Sequence, residues 1–335
     1  MANAPPIRIG VMGCANVARR SVVPAILASD DFRLAGVASR SEEKGRAHAE
    51  QWHCPFVGDY SSLLQRDDVD AIYVPLPTGL HREWVSRALD AGKHLLVEKS
   101  LAASLADAEA LVASSGRNRR VMMENYMFQF HAQQQVVLDL VHSRLGELRG
   151  FRAAFTFPPL QPGNFRYDKA LGGGALLDAG GYPVKACQLF LPGEIRVESA
   201  CLNYNDDGVD LWGGAMLSSR SPVGTIPLQI SFGFDNFYQC GIEFVGQKGR
   251  LTTFRTFTAG EGVVPCALLE MPGEKQEFNL PTDNHFLSIL EEFSRRIRED
   301  DGAKCHAENI RQARLQEQIR QLADKPKEFA DAQHR

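Results

Sequence analysis

No stretch of the 335-residue chain reaches about 18 consecutive apolar residues, so no membrane-spanning helix is expected. Basic charge is not in excess. The 37 Lys and Arg face 41 Asp and Glu, for a formal net charge of -4, and nucleic-acid affinity normally rests on a basic surface. A nucleic-acid partner is therefore not expected. Cysteine is sparse and unpatterned. Cys14, Cys54, Cys187, Cys201, Cys240, Cys266 and Cys305 are odd in number, widely spaced and without a CxxC pair. Neither a disulfide framework nor a metal site is predicted, and the cysteines read as small buried hydrophobes in a reducing cytosol. Met-Ala-Asn-Ala-Pro-Pro leads into an apolar segment with no charged leader region, and no internal repeat is visible, so the expectation is a cytoplasmic chain. What is present is an ordinary globular composition, 44% hydrophobic and 23% charged, long enough for two domains.

Short apolar runs open the chain: Ile7–Met12, Leu34–Ala38, Ala71–Val74, His94–Val97 and Val121–Met123. Unbroken runs of this kind fit parallel strands covered on both faces. Segments of helical period separate them: Val17–Ala28, Ser41–Gln51, His81–Asp90 and Leu105–Ser115. Repeated βα units predict a doubly wound parallel Rossmann sheet, whose strand carboxyl ends share one ligand-binding edge. After Glu124 the texture changes. A helical stretch over Ala132–Ser143 precedes Leu148–Phe157, which alternates as a strand does, and a glycine cluster opens a helix over Gly174–Leu191. Strand-like runs follow at Val197–Tyr204, Trp212–Ser218, Gly224–Phe232, Cys240–Val245, Arg250–Phe254 and Cys266–Glu270. Helices over Asn284–Arg298 and Glu308–Ala323 come last, and the tail after Asp324 is expected to fray. The predicted class is α/β. A dinucleotide-binding domain spans 1–124, and a substrate-binding and oligomerisation domain spans 125–330. The second is α+β, with a mostly antiparallel open sheet. Phe151, Phe155 and Phe157 share one strand parity, and Arg152, Ala154 and Thr156 the other. One sheet face then lies under helices, and the other is polar or covered by a partner.

The first chemical signal is Gly10-Val-Met-Gly13-Cys-Ala15-Asn16-Val17-Ala18, between a predicted strand and helix. Glycines let the backbone turn tightly and approach a pyrophosphate at a helix N-terminus. The usual G-x-G-x-x-G is altered at Ala15 and Ala18, and the alternative is a tight turn without a nucleotide. At the end of the second strand stand Ser39 and Arg40, where an NAD site carries Asp or Glu. A hydroxyl and a guanidinium suit a 2′-phosphate, so NADP is the expected cofactor. The alternative leaves Arg40 in solvent and lets Glu42 or Glu43 reach the ribose. Leu76 and Pro77 shape a backbone path near the cofactor, and His81 either contacts the nicotinamide side or packs.

Glu98-Lys99 ends an apolar strand on the same edge. The Lys99 cation can polarise a substrate oxygen, and burial would lower its pKa from ~10.4. The alternative is a snorkelling surface lysine. In the run from Arg166 to Tyr182, Asp178 and Tyr182 are four residues apart and share a face if the segment is helical. They form a candidate proton-handling pair. The bland alternative is a buried Tyr182 whose hydroxyl is satisfied by Asp178.

Together these residues resemble the glucose-fructose oxidoreductase / inositol dehydrogenase / rhizopine-catabolism (Gfo/Idh/MocA) family, from Ile7 to about Arg298. The carriers are the Gly10–Ala18 loop, Pro75–Thr78 with His81, Glu124-Asn125, Gly172–Tyr182 and, most specific, Ala91-Gly92-Lys93-His94 followed by Glu98-Lys99. The chain departs from the family at Ser100, where Glu-Lys-Pro is usual, and at Tyr182, where many members carry His. Tyr182 is similar to the branch holding glucose-fructose oxidoreductase, the xylose and dihydrodiol dehydrogenases and the sugar-nucleotide 3-ketoreductases. Ala18–Pro24, Glu124–His131, Phe165–Tyr167, Gly208–Asp210, Phe232–Tyr238 and Arg255–Thr258 resemble the last of these.

That resemblance implies NADPH-dependent reduction of the C3 keto group of a nucleotide-linked, dTDP-type 3-keto-6-deoxyhexose in deoxysugar biosynthesis. It implies Lys99 and Tyr182 as catalytic proton-donor candidates, with the choice between them open. Around the cofactor it implies Gly10, Gly13, Ala15, Asn16, Val17, Ser39, Arg40, Tyr60, Leu76, Pro77, His81, Glu98, Arg166 and Asp178. Arg19, Tyr238 and Thr258 would meet the substrate. A homodimer or homotetramer through the C-terminal sheet is the family expectation. The rivals are an NADP-dependent dehydrogenase of a free sugar or diol, an NADP-binding regulator without turnover, and NAD-retaining glycoside cleavage, which the Ser39-Arg40 pair disfavours.

Overall fold

The computed structural model describes residues 4–324, apart from positions 192 and 223. The tail predicted after Asp324, and the outer limits of both expected domains at 1–3 and 325–330, lie outside the described residues. The first sheet contains β1 (Ile7–Met12), β2 (Phe32–Ala38), β3 (Phe56–Gly58), β4 (Ala71–Val74), β5 (His94–Val97) and β6 (Met122–Glu124). All pair in parallel, in the order β3-β2-β1-β4-β5-β6. Helices α1 (Val23–Ala28), α2 (Glu42–Gln51), α3 (Tyr60–Leu64), α4 (His81–Asp90) and α5 (Leu105–Asn118) alternate with the strands. Ile9, Val11, Ile72, Val74, Leu96 and Val97 are fully buried, which is why these strands read as unbroken apolar runs. The chain reverses its direction of growth between β1 and β4, and this switch point opens a crevice at the strands' carboxyl ends.

The second sheet contains β7 (Leu148–Thr156), β8 (Ile195–Tyr204), β9 (Asp210–Ser221), β10 (Gly224–Gly233), β11 (Gln239–Gly246), β12 (Arg250–Phe254), β13 (Cys266–Met271) and β14 (Glu274–Asn279). Its order is β14-β13-β12-β11-β7-β10-β9-β8, antiparallel except where β7 meets β10. Helices α6 (Gln133–Arg144), α7 (Gly181–Phe190), α8 (His285–Arg298) and α9 (Gly302–Ala323) complete this half. Phe151, Phe155, Leu228, Ile230, Phe232, Ile242 and Phe244 are buried on the face that α7 covers. The opposite face carries an ion-pair ladder, Arg152–Glu243–Arg250–Glu270, and exposes Trp212, Met216 and Phe254. Helix α9 packs back against α5, β6, α7 and β8, so the last helix touches both sheets.

Three elements escape the sequence reading. Strand β14, Glu-Lys-Gln-Glu-Phe-Asn, is an edge strand with little apolar content, and β3 and α3 are too short to show a period. Helix α9 also begins at Gly302, ahead of the expected Glu308. Both glycine-cluster helices open with a π-helical turn, Ala18–Val22 and Leu176–Gly180, before continuing as α1 and α7. Pro24 and Pro183 follow these turns, and a residue without an N–H disrupts the ordinary helical ladder. The cysteines are free. Cys187, Cys240 and Cys305 are buried, but Cys201 and Cys266 are exposed on strands, which corrects the expectation of general burial.

Candidate active site

A cleft of about 690 Å³ follows the carboxyl edge of the first sheet. Gly13, Ala15, Asn16 and Val17 form its floor, at the turn after β1. Gly13 has a φ of 121°, and a Cβ there would come within 3.1 Å of Leu76. The turn thus needs glycine, both for its conformation and to stay open. Arg40, Lys44 and His48 line one end, from the β2 turn and from α2. Tyr60 lines the wall beside Arg40, its ring edge-on to Trp84. Arg19 projects into the cleft from the first π-helical turn, and Leu76, Pro77 and Thr78 form the opposite lip.

The other end holds the charged centre. Lys99, just past β5, donates to Asp178 Oδ1 at 2.7 Å and to the Asp178 carbonyl at 2.8 Å. Asp178 lies in the second π turn, and the residue five positions on, the π-helical partner of its carbonyl, is Pro183, which has no N–H to offer. Arg166 Nε lies 2.7 Å from Asp178 Oδ2 as an ion-pair contact. Burial pushes the Asp178 carboxyl up, but Lys99 and Arg166 outweigh it and bring the group down to about 2. Asp178 is therefore a fixed anion between two cations. Its helical turn is itself anchored: Leu176 N–H donates to Asp210 Oδ2 at 2.6 Å. A Cβ on Gly174, at φ 121°, would sit 2.2 Å from that carboxylate. Burial pushes Asp210 up to about 6, and its backbone hydrogen bonds only partly offset this.

A smaller chamber of about 220 Å³ continues inward, bounded by Lys99, Asn125, Met127, Phe155, Phe157, Asp178, Tyr182 and Phe286. The Lys99 ammonium sits 5.2 Å from the centre of the Tyr182 ring. Tyr126, Phe128, Phe155 and Phe257 surround that ring. The Tyr182 hydroxyl contacts Met127 Sδ at 3.9 Å and makes no bond to Asp178, so the bland reading of an Asp178-satisfied tyrosine does not describe it. Burial, then the Glu98 and Asp178 carboxylates, push its phenol well above the usual tyrosine range.

Five expected site residues stand off the cleft. Gly10 lies within β1, buried against Leu63. His81 is fully buried and ties two loops together: Nδ1 lies 3.0 Å from the Ser100 carbonyl, and Nε2 lies 2.8 Å from that of Leu76. It supports the cofactor edge from beneath instead of touching it. Tyr238 and Thr258 bond each other at 3.1 Å beside Arg255, and Tyr238 opens onto the uncovered face of the second sheet. Neither residue lines the cleft or the inner chamber, whereas the ring of Phe257, next to Thr258 in sequence, packs on Tyr182. Ser39 is buried, and its hydroxyl holds the turn into α2 by accepting from Ser41 N–H at 3.1 Å. Lys44 and His48 line the outer cavity without having been singled out, and Asn125, read only as a carrier of the family resemblance, lines the inner one. Lys44 and His48 are four apart on α2, a helical spacing that could have placed both on the Arg40 side. Among the described residues no cluster of His, Cys, Asp and Glu could hold a metal, and no helix is long and apolar enough to cross a membrane.

Residues 7–126 match a family profile described as an oxidoreductase family with an NAD-binding Rossmann fold, and residues 137–252 match the GFO/IDH/MocA C-terminal domain. The chain belongs to the Gfo/Idh/MocA oxidoreductase family. One relative is the dTDP-3,4-didehydro-2,6-dideoxy-alpha-D-glucose 3-reductase of Actinomadura kijaniata. It is 38% identical over 322 residues, covering 95% of this chain and 96% of the relative. The solved structure of KijD10, a 3-ketoreductase from Actinomadura kijaniata in complex with NADP and TDP-benzene, matches with a TM-score of 0.91 at 37% identity. The match covers 95% of this chain and 98% of that one. A D-xylose 1-dehydrogenase (NADP(+)) of Haloferax volcanii is 39% identical over 204 residues, covering 60% of this chain and 62% of the relative. Within the Gfo/Idh/MocA family, then, full-length similarity reaches sugar-nucleotide reductases, and partial similarity reaches a free-sugar dehydrogenase.

Proposed function

We propose that this protein is an NADPH-dependent 3-ketoreductase of a dTDP-linked 2,6-dideoxyhexose bearing ketones at C3 and C4, as the relatives' names describe. The observation that carries the reading is the Lys99–Asp178–Arg166 network with Tyr182 beside it, at the inner end of a dinucleotide-sized cleft. The cleft fits the cofactor. Its floor is a glycine turn that a Cβ would narrow, and its outer end presents Arg40 and Lys44 without carboxylate partners among the described residues. Arg40 and Lys44 would hold the 2′-phosphate, and the Gly13–Val17 turn the pyrophosphate. When bound, NADPH supplies the hydride that reduces the C3 carbonyl.

The chain's own groups then divide the work. Lys99 uses two of its three N–H donors on Asp178 and keeps one for the ketone oxygen, where negative charge develops. Arg166 and Asp178 hold that ammonium in place. Tyr182 keeps its proton at neutral pH, and an alkoxide is far more basic than a phenolate, so Tyr182 Oη is the group assigned to protonate the product oxygen. Lys99 beside the ring stabilises the tyrosinate left behind. Met127, Phe155, Phe157 and Phe286 exclude water and suit a sugar lacking hydroxyls at C2 and C6. Arg19 would meet the nucleotide phosphates. The domain boundary is proposed at 124/125, with assembly as a cytoplasmic homo-oligomer through the uncovered face of the second sheet, where Trp212, Met216 and Phe254 are exposed.

The test is NADPH oxidation on an enzymatically generated dTDP-linked 3-keto sugar, with D-xylose plus NADP as the reverse assay. Turnover of the keto sugar alone supports the proposal. Turnover of xylose alone moves the protein to the free-sugar reading that the Haloferax relative favours. NADPH binding with silence in both assays leaves the regulator reading.

A further inference from the structure

Asn125 follows β6 directly and is almost fully buried, with its side chain on the wall of the inner chamber. Its Nδ2 donates to Glu98 Oε1 at 2.6 Å. Tyr73 donates its hydroxyl to the same oxygen, also at 2.6 Å. A carboxylate accepts and an amide NH2 donates, so Glu98 fixes the amide rotamer and turns Asn125 Oδ1 away from itself. That oxygen is buried and has no partner among the described residues. A buried acceptor left unpaired costs more than one neutral hydrogen bond returns, so its orientation needs a donor from a ligand.

Two ligands reach this chamber on the reading given above, on which the present inference rests. The diketo dideoxy sugar has carbonyls at C3 and C4 and no hydroxyl at C2 or C6. It carries acceptors and apolar carbons but no O–H donor. The nicotinamide has a carboxamide with two N–H donors. It belongs to the half of the cleft above β4, β5 and β6, because the adenosine half lies over β2, where Arg40 stands. We infer that Asn125 Oδ1 accepts from the nicotinamide carboxamide and sets the rotation of that group, with Glu98 and Tyr73 as positioning residues that hold the amide in its accepting orientation. Lys99 and Tyr182, two of the donors on the chamber wall, then remain free for the sugar.

The experiment is equilibrium binding, read by quenching of protein fluorescence, with no sugar present. The probes are NADPH and its reduced 3-acetylpyridine analogue, whose methyl ketone has no N–H. The wild type is expected to bind the analogue about five- to tenfold more weakly, the worth of one neutral hydrogen bond. Asn125→Ala is expected to bind both equally, at the wild-type affinity for the analogue. Equal binding of the two probes to the wild type would overturn the inference without any variant being made. The same preference for NADPH persisting in Asn125→Ala would overturn it too, because another residue would then read the carboxamide. If the wild type bound neither probe, the cofactor reading itself would fall, a distinct result that takes this inference with it.

Discussion

At the outer end of the cleft, Arg19, Arg40 and Lys44 face the cavity without carboxylate partners among the described residues, whereas at the inner end Asp178 holds both Lys99 and Arg166 at 2.7 Å. Cations of the same chemistry are thus treated in opposite ways. The outer ones stay on flexible side chains in solvent, free to meet phosphates whose charge repays their ordering. The inner ones are locked before any ligand arrives, because a reacting centre gains from donors that need no reorganisation. Recognition uses unpaired charge, and chemistry uses paired charge.

Lys99→Ala should break the contrast most severely. Single-turnover reduction is expected to slow by about 10³-fold, with NADPH affinity changed by no more than about threefold, since an inner donor serves the transition state. Asp178→Asn comes next, with kcat about 10²-fold lower, because Lys99 and Arg166 lose the anion that positions them. The same variant has a pH signature. A carboxyl held down to about 2 stabilises the fold fully above its unfolded value near 4, and that contribution is lost as pH falls between the two. Denaturant midpoints between pH 4 and pH 2 should therefore fall more steeply in the wild type than in Asp178→Asn.

Asp210 shows the reverse sign. Raised to about 6, it binds its proton more tightly folded than unfolded, so stability should decline as pH rises from about 4 to about 6 and then level off. Asp210→Asn should flatten that decline, by on the order of 2 kcal/mol across the window in urea titrations. The outer end should yield the smallest effect. Arg40→Ala is expected to weaken NADPH by about tenfold and leave NADH unchanged, sharpening the contrast between a recognising cation and a reacting one. An equal loss for both cofactors would place Arg40 elsewhere than at the 2′-phosphate.

Much of this was legible in the chain. The bounds of β4 and β5 coincide with their apolar runs, and Gly13, Arg40, Lys99, Arg166, Asp178 and Tyr182 all line one or both cavities. These residues sit at strand ends and helix starts, where local pattern and site position coincide. What was not legible depends on pairing across the fold. No local rule says that Asp178 turns its carbonyl to a lysine 79 residues away, that Asp210 anchors the turn bearing it, or that Glu98 rotates the amide of Asn125. Tyr238 and Thr258 point to the same limit, because only the fold pairs them with each other and leaves both outside the two cavities. The expected helices over Val17–Ala28 and Gly174–Leu191 run through Pro24 and Pro183 unbroken, and the π turns ahead of both prolines appear only in the fold.

Asn309, on α9, donates to the carbonyl of Met122 on the edge strand β6 at 3.0 Å, across 187 residues of sequence. The ribosome adds about 5–20 residues per second, so β6 emerges roughly 10–40 s before the helix that covers it. Through that interval the nascent first sheet carries an open edge, the feature by which neighbouring chains pair and aggregate. Yield of this protein in a host cell is therefore tied to translation speed and to chaperone traffic around the nascent chain, quite apart from the stability of the finished molecule.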